Sequence, residues 1–266
     1  MKKLNEKSKQ TSVIGVVPMA GLAKRLGNLG CSKEIYPVES AKGGTEGSKP
    51  KVVCEHVLEK MQRAGIDKIY IILRDGKWDI PACLGDGSKQ GLNLAYLMMG
   101  LPHGTPYSIE QAYPFIQDSI VVLGFPDMIF AEEDIYTRLV SHLELVDADV
   151  ALGIFPADRP EKTDMVDMAD DGSVRRLVIK PTHTDLRYCW GVVAWTPVFT
   201  HFMHNYLASH QNIAATQPEL FVGNVIQAGI ESGLSVYGVT VSEQPFLDIG
   251  TPEDLERLSS YINKRK

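Results

Sequence analysis

Short runs of β-branched and aliphatic residues alternate along the chain with longer amphipathic stretches, and this alternation is the feature that most limits the possible folds. Runs of the first kind predict strands, whereas apolar residues at helical spacing predict helices. In the first half the two kinds alternate one by one, which favours a parallel, doubly wound sheet. The second half is richer in strands and predicts a mixed sheet. We therefore predict one α/β domain, a Rossmann-like doubly wound mixed sheet.

The predicted elements follow directly from these patterns. The strand candidates are Val13–Val17, Lys68–Leu73, Leu94–Met98, Ser119–Leu123, Asp149–Phe155, Val174–Ile179, Gly191–Trp195 and Ser235–Val239. The helix candidates are Val52–Ala64, Tyr107–Ile116, Glu132–Leu145, Pro197–Ser209, Glu219–Ser232 and Pro252–Asn263. The last helix has a clear start signal, because Thr251 offers an N-cap and a proline and two acids follow it.

Two segments stand apart from the predicted domain, which spans residues 13–266. Residues 1–12 are polar and lack the apolar core of a signal peptide, so we interpret them as a loose leader. Residues 39–49 contain the Gly- and Ser-rich run SAKGGTEGS and are predicted to form a mobile insertion loop.

Composition argues against several classes of function. Lys and Arg total 27 against 33 acidic residues, a net charge of −6, so a basic face for nucleic acid is not expected. The chain has no apolar run that approaches the roughly 20 residues a membrane-spanning helix needs. Its four cysteines show no paired spacing and are interpreted as reduced thiols. These features predict a cytoplasmic protein that binds neither nucleic acid nor membrane.

The loop after the first strand gathers glycines and cations. Residues 16–38 read VVPMAGLAKRLGNLGCSKEIYPV and include Lys24, Arg25 and Lys33. Ligands of doubly wound sheets bind at the carboxyl ends of strands, where the backbone N–H groups of a glycine-bearing loop can approach an anion. The loop is therefore a candidate polyphosphate site. On composition alone an ordinary surface loop with solvated cations is favoured, because the loop matches neither a Walker A nor a GxGxxG pattern.

This loop resembles the signature of the sugar-1-phosphate nucleotidylyltransferases, with Gly21, Arg25, Lys33, Pro37 and Val38 on motif positions. The resemblance continues, in the family's order, through GLPHGTP (100–106), VVLGFPDMIF (121–130), DDGSVRRLVIKP (170–181) and FLDIGTPEDL (246–255). It implies a nucleotide-diphospho-sugar transferase fold of GT-A-like type. It also implies Mg²⁺-assisted transfer of a nucleotidyl group from a nucleoside triphosphate to a phosphorylated sugar, with release of pyrophosphate, and is consistent with a homo-oligomer.

The resemblance implies roles for individual residues. Asp127 and Asp248 would share one Mg²⁺ ion, although an N-cap or a loop position is the commoner fate of an aspartate. Arg25, Lys33 and Lys180 are the catalytic candidates, and each would neutralise phosphate charge. The predicted nucleotide contacts are Ala20, Gly21, Leu22, Met99, Pro102, Gly104 and Thr105. The predicted contacts to the sugar phosphate are Asp164, Lys180, Trp190 and Gly191.

Several residues depart from the family's pattern. Asp164 stands in place of a glycine, Ile179 in place of a carboxylate and Trp190 in place of a threonine, so an altered acceptor pocket is expected. Asp164 either contacts the acceptor or points into solvent at a strand edge. Met99 replaces the glutamine that reads the base, and Ala23 replaces a loop glycine, so the base stays open among UTP, dTTP and CTP. A cytidylyltransferase for a phospho-alcohol and a catalytically silent nucleotide-binding regulator are kept as alternatives.

Overall fold

The computed structural model describes residues 11–22, 26–27, 29–38, 50–100, 103–210 and 219–263, with side chains as far as residue 258. Most of the predicted leader and the whole of the predicted insertion loop at 39–49 lie outside the described residues. Arg25, Ala23 and Pro102 lie outside them as well. The predictions made for these parts of the chain remain predictions.

Strands and helices alternate through the described residues. The strands are β1 (Val13–Pro18), β2 (Lys68–Arg74), β3 (Asn93–Met99), β4 (Ile120–Leu123), β5 (Met128–Ile129), β6 (Val150–Pro156), β7 (Asp164–Met168), β8 (Val174–Ile179), β9 (Tyr188–Trp195), β10 (Val236–Thr240) and β11 (Leu247–Asp248). The helices are α1 (Glu55–Arg63), α2 (Asp79–Leu84), α3 (Thr105–Glu110), α4 (Tyr113–Ile116), α5 (Ile135–Val146), α6 (Pro197–His210), α7 (Val222–Glu231) and α8 (Pro252–Asn263).

One predicted helix is wrong, because the segment Tyr107–Ile116 divides into α3 and α4. Pro114 has no backbone N–H to donate to the carbonyl of Glu110, so a continuous helix breaks there. The sequence analysis also missed α2, β5, β7 and β11. The strands β5 and β11 have two residues each, too few to show any periodicity, and the acids of β7 obscure its pattern.

A mixed sheet connects most of the strands. Its order in the described chain is β10-β6-β9-β4-β1-β2-β3, with β7 pairing to both β8 and β9. β1 lies between β2 and β4 and is parallel to both, whereas β9 is antiparallel to β4 and β6. The predicted parallel first half and mixed second half are therefore confirmed.

Helices cover both faces of this sheet, and the side chains of β1 show the division. Ile14 and Val16 join a buried cluster with residues of α3, α6 and α7, whereas Val17 joins another with residues of α1 and α5. Successive side chains of a strand point to opposite faces, so β1 is buried on both sides. Among the described helices, none has both the length and the apolar character that crossing a bilayer requires. With both faces covered, the carboxyl ends of the strands are the expected place for a ligand.

Candidate active site

Two aspartates from distant parts of the sequence lie side by side at this end of the sheet. Asp127 immediately precedes β5, which pairs antiparallel with β11 and sets Asp248 opposite Met128. The N–H of Ile249 donates to the carbonyl of Asp127 at 3.0 Å. The short β5–β11 pairing therefore brings Asp127 and Asp248 together.

Lys33 joins the two acids. It lies in a short 3₁₀ turn, Lys33–Ile35, and its Nζ atom forms an ion pair with Oδ2 of Asp127. Burial alone would lower the pKa of Lys33, but the nearby carboxylates, led by Asp127, outweigh burial and raise it. Burial raises the pKa of Asp248 to about 6, with a further contribution from the charge of Asp127. The cluster thus combines a firmly protonated lysine with two mutually repelling carboxylates.

Two cavities meet at this cluster. The first, of about 290 Å³ and here called the Trp190 cavity, is bordered by Asp164, Lys180, Trp190 and Asp248 among others. The second, of about 160 Å³ and here called the Gly21 cavity, is bordered by residues of the loop after β1 and by Lys33. Among the described residues, the two cavities share four wall residues, Thr105, Phe125, Asp127 and Glu219. Two bound molecules could therefore approach Asp127 from different sides.

The predicted nucleotide contacts are brought together in part. Ala20 and Gly21 border the Gly21 cavity, and a Cβ atom built at Gly21 would lie within 4 Å of no atom of the described residues. Leu22 is 43% exposed and borders a neighbouring cavity of about 240 Å³ together with Lys33. Met99 is not part of the described lining of the Trp190 or Gly21 cavity and instead packs, partly buried, against the core cluster of Ile14 and Val16.

Gly104 borders the Gly21 cavity, and Thr105 borders both cavities. Gly104 has φ +128°, a conformation that favours glycine, and forms an isolated bridge with Leu220. A Cβ atom there would lie 2.1 Å from the Leu220 carbonyl oxygen, so a side chain is excluded. Thr105 begins α3 at the next position. The GLPHGTP motif therefore positions a helix start at the shared wall.

The predicted acceptor contacts all border the Trp190 cavity. The Nζ atom of Lys180 lies 3.3 Å from the ring centroid of Phe221, and Lys180 itself has φ +42°. A non-glycine residue in the left-handed region stores strain, which is common at functional sites. A Cβ atom at Gly191 would lie 2.6 Å from Cε of Met128, so this glycine lets β9 pack closely beside the loop of Asp127.

Asp164 is buried in the wall of this cavity and does not point into solvent. It is 8% exposed, and burial raises its pKa to about 6, although Lys180 and the indole N–H of Trp190 lower it. The alternative of a solvated strand-edge residue is therefore wrong. The raised pKa reflects a carboxylate held where water reaches it poorly.

Two supporting ion pairs escaped the sequence analysis. Lys77 donates to Glu34 at 2.7 Å, and the two residues are 4% and 1% exposed, so this pair anchors the turn that carries Lys33.

Arg159 donates to Asp254 at 2.6 Å, and the other carboxylate oxygen of Asp254 accepts from the backbone N–H and the hydroxyl of Thr251. The latter pair fixes the chain just after Asp248. Neither partner could be found from sequence spacing, because each pair joins distant segments.

The residues present fit a magnesium ion. In the described part of the chain, no group of three or more histidine, cysteine or acidic side chains is arranged to hold a metal. Mg²⁺, however, usually takes only one or two carboxylates and completes its shell with water and substrate phosphates. Asp127 and Asp248 offer such a pair in one cavity wall, and a divalent cation would relieve their repulsion.

Comparison with known proteins agrees with the fold and the motifs. A profile described as nucleotidyl transferase matches residues 46–265. Since this is most of the chain, the protein belongs to the nucleotidyl transferase family, which confirms the resemblance seen in the sequence.

Individual relatives point in the same direction. The low-salt glycan biosynthesis nucleotidyltransferase Agl11 of Haloferax volcanii is 29% identical over 219 residues, covering 81% of this chain and 58% of that protein. A glucose-1-phosphate thymidylyltransferase of Streptomyces griseus is 28% identical over 239 residues, covering 87% of this chain and 60% of that protein. The chain therefore spans about three fifths of the length of these relatives.

A solved structure shows the same architecture. It comes from Bacillus anthracis and is described as a glucose-1-phosphate thymidylyltransferase. The TM-score is 0.76 over 94% of this chain and 95% of the other, at 17% identity. At that identity the likeness speaks for the fold alone, and it confirms the predicted α/β fold.

Proposed function

We propose that this protein transfers the nucleotidyl group of a nucleoside triphosphate to a sugar-1-phosphate and releases pyrophosphate. The observation that carries the proposal is the meeting of two cavities at Asp127, beside Lys33 and Asp248. A glycine-bearing loop borders one cavity, which suits a polyphosphate. Asp164 and Lys180 border the other, which suits a phosphorylated molecule with polar groups.

The reaction needs positioning and charge neutralisation rather than a protein nucleophile. An oxygen of the sugar phosphate attacks the α-phosphorus in line, the bond to the β-phosphate breaks, and pyrophosphate leaves. A Mg²⁺ ion held by Asp127 and Asp248 would supply charge neutralisation at the phosphates. Lys33 is held charged beside Asp127 and is assigned to the α-phosphate region.

Two further cations complete the proposed site. Lys180 is assigned to the phosphate of the acceptor, because it borders the Trp190 cavity, where its ammonium group lies over the ring of Phe221. Arg25, which lies outside the described residues, is assigned through the motif to the leaving phosphates. Met99 packs against the core cluster of Ile14 and Val16. Backbone groups around Gly104 are therefore assigned to recognition of the base.

The test is a matrix of triphosphates and acceptors. Pyrophosphate release would be measured with Mg²⁺ for UTP, dTTP, CTP, ATP and GTP against a panel of hexose-1-phosphates and phosphocholine. We expect release with a pyrimidine triphosphate and a sugar-1-phosphate. The pair dTTP and glucose-1-phosphate is the first to try, because a relative carries the name glucose-1-phosphate thymidylyltransferase.

Other outcomes of the matrix would overturn the proposal. Release with CTP and phosphocholine alone would indicate a cytidylyltransferase for a phospho-alcohol. No pyrophosphate release with any pair, with triphosphate binding retained in calorimetry, would indicate a nucleotide-binding regulator. Asp127→Asn should abolish the release, whereas Asp170→Asn, a change at an exposed turn residue, should leave it intact.

A further inference from the structure

Within the described part of the chain, two buried polar groups in the wall of the Trp190 cavity have no well-formed hydrogen bond. They are Oδ1 of Asp164 and Nε1 of Trp190, and their residues are 8% and 6% exposed. Such groups are uncommon in folded proteins, because each carries a cost of desolvation. The indole N–H lies close enough to lower the pKa of Asp164, so the two groups are neighbours. Their place in a cavity wall points to a bound molecule rather than to the fold alone.

The surrounding chain is shaped to accommodate this carboxylate. Asp164 lies opposite Ile179 in the β7–β8 ladder, and its Oδ2 atom lies against the first turn of α7. A Cβ atom at Gly223 would approach Oδ2 to 2.2 Å, so glycine is required there. The first turn of a helix carries unpaired N–H groups and a partial positive charge, which favour a carboxylate. The acid therefore lies beside Trp190, with its Oδ2 atom against the first turn of α7.

The polar groups in the wall favour an acceptor that carries hydroxyl groups. The described lining contains the acids Asp127, Asp164, Glu219 and Asp248 and the lysines Lys162 and Lys180. Asp127 and Asp248 are assigned to the metal, and Lys180 is assigned to the acceptor phosphate. A quaternary ammonium group has no hydrogen to donate to the unpaired oxygen of Asp164. A hydroxyl group would meet a carboxylate ready to accept its hydrogen.

We propose that Asp164 reads one hydroxyl group of the acceptor, with Trp190 as its positioning residue. The unpaired Oδ1 atom accepts the hydrogen of the hydroxyl, and the indole N–H donates to the same carboxylate. Rotation about the Cβ–Cγ bond of an aspartate is soft, so pairing with the indole requires only a small adjustment. The acceptor is then a phosphorylated sugar or polyol with a free hydroxyl at this place, and not a phosphorylated quaternary ammonium alcohol. This inference rests on the proposed function and names its acceptor class.

The test combines variants of the protein with altered acceptors. Wild type, Asp164→Asn, Trp190→Phe and the control Asp170→Asn would be compared by pyrophosphate release. The acceptors would be the best sugar-1-phosphate of the matrix, its monodeoxy derivatives and phosphocholine. For wild type we expect kcat/KM to fall about 10- to 100-fold for one deoxy derivative, because a hydrogen bond to a charged group is lost.

The variants should show a matching pattern. Asp164→Asn should use the parent sugar about 10- to 100-fold less well and lose the discrimination against that deoxy derivative, with the KM for the triphosphate unchanged. Trp190→Phe should raise the apparent pKa seen in the acceptor kcat/KM profile, because it removes a group that favours the ionised Asp164. Full discrimination retained in Asp164→Asn, or phosphocholine used as well as the best sugar, would overturn the inference while leaving nucleotidyl transfer in place.

A binding measurement separates this inference from the proposed function. If wild type releases no pyrophosphate with any pair, the proposed function fails, and calorimetric titration with glucose-1-phosphate decides the role of Asp164. Binding weakened at least 10-fold in Asp164→Asn, but unchanged in Asp170→Asn, would support the reading of a hydroxyl. Equal affinity of wild type and Asp164→Asn, or no binding to wild type, would overturn it.

Discussion

Asp164→Asn is expected to stabilise the folded protein at neutral and alkaline pH. Burial raises the pKa of this carboxyl from 3.8 to about 6, even though Lys180 and Trp190 act in the opposite direction. Between these values the folded state binds a proton that the unfolded state has lost, so ionisation of Asp164 increasingly disfavours folding as the pH rises. Asparagine has a similar shape and does not ionise. The variant therefore does not lose unfolding free energy as the pH rises.

The size of the effect follows from the pKa shift. A shift of about two units corresponds to about 3 kcal/mol of unfolding free energy at pH 8, where both states are ionised. About half of this remains at pH 5, and the difference vanishes below about pH 3, where both states are protonated. At roughly 2–4 °C per kcal/mol for a chain of this size, the Tm at pH 8 should rise by about 6–12 °C.

Thermal and urea unfolding of wild type, Asp164→Asn and Asp170→Asn at pH 8 and pH 5 would measure the effect. The difference between variant and wild type is the useful quantity, because Asp248, whose pKa is also about 6, titrates in both proteins. A gain of the same size at both pH values would refute the reasoning, and so would a loss of stability at pH 8. A protein that keeps a destabilising carboxylate in a cavity wall is consistent with a functional demand on it.

Three further perturbations test the site. Asp127→Asn and Asp248→Asn should each abolish most turnover. The double variant should lose little more turnover than either single variant, because groups that share one ion act as a unit. Additive losses in steady-state kinetics would indicate separate roles. Arg25→Ala should reduce triphosphate turnover far more than it weakens calorimetric binding of the monophosphate, and equal losses would place Arg25 away from the leaving phosphates. Gly104→Ala should destabilise the fold by about 1–3 kcal/mol in urea, because φ is positive and a Cβ would lie 2.1 Å from a backbone oxygen. Gly21→Ala is its control, since a Cβ at Gly21 would meet no atom of the described residues within 4 Å. Matching unfolding curves of the two variants would contradict the argument.

The layered fold could be predicted because periodicity is a local property of the chain. The runs that became β1, β2 and β6 match the predicted strands to within a residue at each end. The errors have local causes as well, since Pro114 divides a predicted helix. By contrast, β5 and β11 form only by pairing with each other, and two residues carry no periodic signal.

Some residues of the candidate site could be identified from sequence motifs, and others only from the structure. The motifs identified Lys33, Asp127 and Asp248, and the structure brings these three together. It does not bring Met99 to the Trp190 or Gly21 cavity, because β3 turns that side chain toward a core layer. No motif marked Lys77, which pairs with a buried glutamate from a segment far away in the sequence.

The sequence by itself determined the alternation of strands and helices, the glycine-bearing loop after the first strand and the aspartates within two of its motifs. These depend on residue types within a few positions of one another. Only the tertiary structure decided that Asp164 is buried, that its oxygen faces the first turn of α7 at Gly223, and that two cavities meet at Asp127. Desolvation and the fields of neighbouring charges arise from every segment packed around a group, so no local pattern contains them.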